Sequence, residues 1–146
     1  MLNHEQLMEL WKVDCDIDRS DLTTPMYEHP MLHSKYLSIL MGYKNTVRKY
    51  TKSFQELSLV RQRYFNGEMT KEELDTRGWK QYLFKRPMNS EREALLDASP
   101  DLQELQEKTM YTQNMVEATE YIMKDINQRY FLFKNLVEYE KFKAGV

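Results

Sequence analysis

Arg61, Arg63, Tyr64 and Phe65 set two guanidinium groups beside two aromatic rings. Cations of that kind track phosphates, and flat rings stack on bases without reading their order, so the combination suits single-stranded nucleic acid. The plainer reading is that Tyr64 and Phe65, near a helix end, belong to a core. A second set of cations lies upstream. Lys44, Arg48 and Lys52 are successive i,i+4 neighbours with Lys49 beside them, and no acid falls between Lys44 and Lys52 to form the usual stabilising pairs. Like charges so spaced repel, which points to an anionic partner outside the helix unless the face is simply solvated. Residues 31–66 hold seven Lys and Arg against one acid, Glu56, a balance of +6.

Other arrangements that could do chemistry fail on spacing. Asp14-Cys15-Asp16-Ile17-Asp18 starts like a calcium loop, but the sixth position is Arg19 and the twelfth is Pro25, where Gly and Glu are needed. His29 and His33 are split by Pro30, and Cys15 lies among carboxylates, which oppose its use as a nucleophile. No glycine-rich phosphate loop and no Ser-His-Asp grouping stand out. The expectation is therefore a protein that is not an enzyme and that uses no cofactor and no metal.

The elements that position the cations follow from periodicity. Asn3 caps a short helix bearing Leu7, Leu10 and Trp11, and residues 14–30, with Pro25 and Pro30, read as irregular. Between 31 and 66 apolar residues recur every three or four positions from Leu32 to Tyr64, which predicts one helix of about 50 Å. Arg61 interrupts that stripe. A charge is rarely buried alone, so Arg61 either pairs with an acid of the 1–30 segment or lines a groove or pore. Asn66-Gly67 stops the helix. Thr70 with Glu73, and Ser90 with Glu93, form capping boxes for two short helices. Residues 79–86 are aromatic-rich and read as a short strand or an extended arm, ended by Pro87. Ser99 and Pro100 open a last long helix reaching about 143. Its seam includes Val116, Thr119, Ile122, Met123, Ile126, Tyr130, Phe133 and Val137, with a broad apolar shoulder that suits a bundle or ring contact. The fold class is mainly α, divided into an N-terminal helical region, 1–99, and a C-terminal helix, 100–146.

Composition bounds the alternatives. A chain of 146 residues excludes a barrel enzyme, and one cysteine excludes an internal disulfide. Charged residues at 30% leave no apolar run long enough to span a membrane, so no membrane partner is expected. The N-terminus has no basic-then-apolar signal region, which reads as intracellular. The net charge of −2 conceals segregation: residues 1–30 carry two cations against seven acids, opposing the +6 of the following helix.

The order of several short motifs resembles the UvsY family of recombination mediators from T4-like phages. They are Leu32-His33-Ser34-Lys35-Tyr36-Leu37, Arg61-Gln62-Arg63-Tyr64-Phe65-Asn66-Gly67, Leu95-Leu96-Asp97-Ala98-Ser99 and the terminal Phe142-Lys143-Ala144-Gly145. The stretches Gly67-Glu68-Met69-Thr70 and Gly78-Trp79-Lys80-Gln81-Tyr82 look like cyanophage versions. The resemblance implies a helical protein that binds single-stranded DNA, weakens the hold of the phage single-strand binding protein and helps load a RecA-like recombinase. It also implies work in the cytoplasm of the infected bacterial host, and self-association into a closed ring of about six or seven subunits through the last helix. The family's DNA-binding stretch is a Lys-x-Arg pair before two aromatics. Arg61 matches the arginine, whereas the lysine position holds Leu59, with Arg63 as an extra cation. On this reading Lys44, Arg48, Lys49, Lys52, Arg61, Arg63, Tyr64 and Phe65 contact the strand. The competing reading is an oligomeric helical-bundle adaptor that binds only protein, its basic helix docked on an acidic 1–30 segment.

Overall fold

A computed structural model describes all 146 residues as five helices and no strand: α1 (His4–Asp14), α2 (Thr23–Phe65), α3 (Lys71–Arg77), α4 (Asn89–Asp97) and α5 (Pro100–Lys143). The mainly α expectation holds, and residues 79–86 take the extended-arm form. The chain makes two compact units, Met1–Asn45 with Thr112–Val146, and Thr46–Tyr111. Neither boundary falls at residue 99; both lie inside the long helices.

The first unit joins α1, the start of α2 and most of α5. Asn3 and Gln6 form a reciprocal capping box at the start of α1, with both bonds at 2.9 Å. Leu7 of α1 is fully buried with Tyr36 and Tyr43 of α2 and Met115 and Ile126 of α5. Two tyrosines keep their hydroxyls satisfied: Tyr36 donates to Asp14 at 2.9 Å and Tyr43 to the Leu2 carbonyl at 2.8 Å. Burial and the Asp14 carboxylate together push the Tyr36 hydroxyl well above the usual phenol range. The Trp11 ring meets Tyr36 edge-on at 5.3 Å.

Helix α2 begins at Thr23, eight residues before the expected start, and carries Pro30 inside it. Asp21 explains the early start, since its carboxylate accepts from the Thr24 N–H and hydroxyl at 3.2 and 2.6 Å. Pro25 then falls in the first turn, where its missing N–H costs little. Pro30 removes one interior bond, at about 3 kcal/mol in an isolated helix. Met26 and His29, in the turn before it, line a cleft with Tyr130, Phe133 and Val137 of α5.

The α5 seam is where expectation and structure part. Val116, Thr119, Ile122, Met123, Ile126 and Phe133 are buried within their own chain. Val137 is half-buried, and only Tyr130 of the eight residues is exposed, at 67%. The stripe assigned to contacts between subunits is thus the core of the first unit. Its covering partners, α1 and the start of α2, are too far away in sequence for periodicity to reveal. What α5 leaves open is a different aromatic set, with Tyr121, Tyr130 and Phe131 all more than 60% exposed.

The second unit joins the end of α2, α3, the 79–88 arm, α4 and the start of α5. Gly67 and Gly78 have φ of +72° and +69°, and each closes a helix in the same way. The Gly67 and Glu68 N–H groups bond back to the Tyr64 and Arg63 carbonyls, and those of Gly78 and Trp79 to Asp75 and Leu74. Thr70 caps α3, its hydroxyl accepting from the Glu73 N–H at 3.2 Å. Helix α4 departs from expectation: Glu91, not Glu93, reaches back, accepting from the Met88 N–H at 3.2 Å. At the start of α5 the Ser99 carbonyl accepts the first helical bond, but its hydroxyl donates backward to the Leu95 carbonyl instead of capping.

Candidate nucleic-acid interface

The Arg61-to-Phe65 motif ends α2 and forms the hub of the second unit. Arg61 donates from Nε and Nη2 to the Asp101 carboxylate at 3.0 and 2.8 Å, a fork that fixes the first turn of α5 to the end of α2. Its guanidinium lies 3.8 Å from the Trp79 ring centroid and 5.4 Å from that of Tyr64. Only 16% of the side chain is exposed. Arg61 therefore has an acidic partner, as one branch of the expectation required, but the partner is Asp101 and not an acid of the 1–30 segment. Arg63 pairs with Glu73 at 2.9 Å and stays partly exposed.

The two rings are placed as the plainer reading had them. Phe65 is buried. Tyr64 donates its hydroxyl to the Lys80 carbonyl at 2.7 Å and packs within 5.3–5.7 Å of Phe65, Trp79 and Tyr82. The structure thus brings Arg61, Tyr64 and Phe65 together with Trp79, Asp101 and Tyr82. Sequence reasoning had not joined those three to the site, because the pairings span 15 to 40 residues.

The upstream cations have the opposite character. Arg48 and Lys49 are exposed and have no ion pair, and Lys52 reaches only Glu56 one turn on, at 3.9 Å with both side chains mostly exposed. Such a contact contributes little. Arg48, Lys49 and Lys52 all lie on the α2 portion of the second unit. Lys44 belongs to the first unit, where it meets Glu120 at 3.5 Å. Lys35, also of the first unit, is held by Asp14 at 2.7 Å.

Residues 10–146 match the family model described as "Recombination, repair and ssDNA binding protein UvsY". The chain belongs to the UvsY family. Its fold is also that of crystal structures of the bacteriophage T4 recombination mediator protein UvsY. One, in lattice type II, is 22% identical with a TM-score of 0.81 and covers 99% of both chains. A second, in lattice type IV, is 20% identical with a TM-score of 0.80, covering 97% of this chain and 99% of that one. Comparison with curated protein sequences finds no match. No helix is long and apolar enough to cross a membrane. Leu59, two residues before Arg61, is 62% exposed. An outward-facing position thus stands two residues before the inward-facing Arg61.

Proposed function

We propose that this protein is a recombination mediator. It binds single-stranded DNA without sequence preference and promotes loading of a RecA-like recombinase onto strands covered by a single-strand binding protein. The observation that carries the DNA-binding step is the exposed run of Arg48, Lys49 and Lys52 on α2, where the one acid in reach is Glu56, 3.9 Å from Lys52. Three cations per subunit bind a strand weakly. Repeated around a ring of about six or seven copies they become a track, and avidity replaces affinity. Assembly of that ring runs through the aromatic residues that α5 leaves exposed, Tyr130 and Phe131 among them, because the seam itself is already filled. The reaction is strand organisation, with no bond made or broken. In the cell the partners are single-stranded DNA, the phage single-strand binding protein, the recombinase and further copies of the chain, in the cytoplasm of an infected bacterium.

A salt titration of oligo-dT binding tests this reading. Log affinity should fall linearly with log salt, by about 0.7 for each phosphate contacted. A flat response leaves the protein-only adaptor as the surviving account, and equal affinity for duplex overturns the single-strand reading. Recombinase loading is then measured separately, as strand exchange on DNA precoated with single-strand binding protein, with and without this chain.

A further inference from the structure

The arm between α3 and α4 has a charge pattern that the segment average hides. Residues 67–99 balance to −1, yet from Thr76 to Ser90 there are four cations, Arg77, Lys80, Lys85 and Arg86, and no acid. Lys80 and Lys85 make no ion pair, and Arg86 reaches Glu68 only at 3.9 Å with both side chains half exposed or more. The arm's rings form a graded series. Tyr82 packs edge-on against buried Phe65 at 5.3 Å, and Phe84 leans on Tyr82 at 5.4 Å with an interplanar angle of 56°. Phe84 is 78% exposed. The hydroxyl bond from Tyr64 to the Lys80 carbonyl pins the base of the arm.

An aromatic ring held in water by a ring behind it, and flanked by exposed cations of which Lys80 and Lys85 make no ion pair, has the makings of a stacking platform. We propose that the arm is a second contact for single-stranded nucleic acid, with Phe84 stacked on a base and Lys80, Lys85 and Arg86 facing phosphates. The inference rests on the single-strand reading above and adds a base contact to it. The charge pattern chooses the occupant: four cations without an acid complement a polyanion, and the exposed ring face needs an unpaired base that a duplex does not offer. The alternative occupant is an acidic segment of a second copy.

Anisotropy with a labelled oligo-dT strand and an abasic strand of the same length separates these cases. Phe84→Ala should weaken dT binding about tenfold, leave abasic binding unchanged, and be restored by Phe84→Trp. Lys85→Gln with Arg86→Gln should weaken both strands alike and lower the salt slope by about 1.4. Phe84 is too exposed for its loss to unfold the unit, and circular dichroism checks this. If the wild-type chain binds dT and Phe84→Ala binds it equally well, the arm is not a base contact while the mediator reading stands. If Phe84→Ala instead changes the oligomer mass with DNA affinity intact, the arm is a subunit contact and the inference is overturned. If the wild-type chain binds neither strand, both readings fall together.

Discussion

Arg48 and Arg61 lie on one helix, thirteen positions apart, inside the same compact unit. Arg48 stands in solvent with no acid to hold it. Arg61 is locked in a fork with Asp101 and covered by Trp79. The difference owes nothing to the residue type or the helix. It comes from what the rest of the chain brings alongside, a carboxylate from α5 in one case and water in the other. A cation of the first kind is free to bind an anion, and one of the second kind holds the unit together. The same division recurs on α5, where Ile126 is fully buried while Tyr130, four residues on, is 67% exposed.

The sharpest way to break this division is on α5. Ile126→Ala should cost about 2–5 kcal/mol, since it empties a fully buried site. Urea unfolding followed by circular dichroism measures this. Tyr130→Ala should change stability by less than about 0.5 kcal/mol while reducing the mass measured by light scattering. If Ile126→Ala stays stable but loses its oligomer, the seam is a subunit contact after all.

The arginine pair comes next. Arg61→Ala should destabilise the protein by about 2–3 kcal/mol. That is below the roughly 3–5 of a fully buried pair, because Asp101 is 32% exposed even with Arg61 in place. Arg48→Ala with Lys49→Ala should leave stability within about 0.5 kcal/mol and lower the salt slope of oligo-dT binding by about 1.4. Stability and binding are thus expected to fail in separate variants. An Arg61→Ala protein that is fully stable yet unable to bind DNA would show that the fork with Asp101 opens when the strand arrives.

Much of the fold was legible in the sequence because it depends on local rules. The Asn3 cap, the glycine stops at 67 and 78 and the long apolar periods all act within a few residues, and each appears where expected. The start of α2 is not legible, because Pro25 and Pro30 read as breakers while the Asp21–Thr24 contact puts Pro25 in a first turn that tolerates it. The cationic and aromatic types at 61–65 were equally legible, but their direction was not. Whether a periodic stripe faces its own chain or another depends on α1 and α2 folding onto α5, contacts such as Tyr36 with Asp14 and Arg129 with the Asp14 carbonyl, up to 115 residues apart. The charge cluster of the arm is in the sequence, but the acids of α3 and α4 on either side offset it in the segment total.

The smallest expected effect concerns Leu59, which sits between the two arginines and faces water like the first of them. An exposed leucine on this face contributes no attraction to a phosphate, whereas a lysine would. Leu59→Lys should therefore add one contact. The slope of log affinity against log salt should steepen by about 0.7, with affinity rising at low salt and changing little at high salt. Stability should stay within about 0.5 kcal/mol, because the position is a solvent-facing helix site and lysine is a good helix former. An unchanged slope would mean that the strand does not pass residue 59, and the path would then have to run from Arg48 and Lys49 to the arm without crossing that turn. A steeper slope in Leu59→Lys that persists when Arg61 is replaced would show that the outward-facing position, and not the arginine beside it, touches the strand.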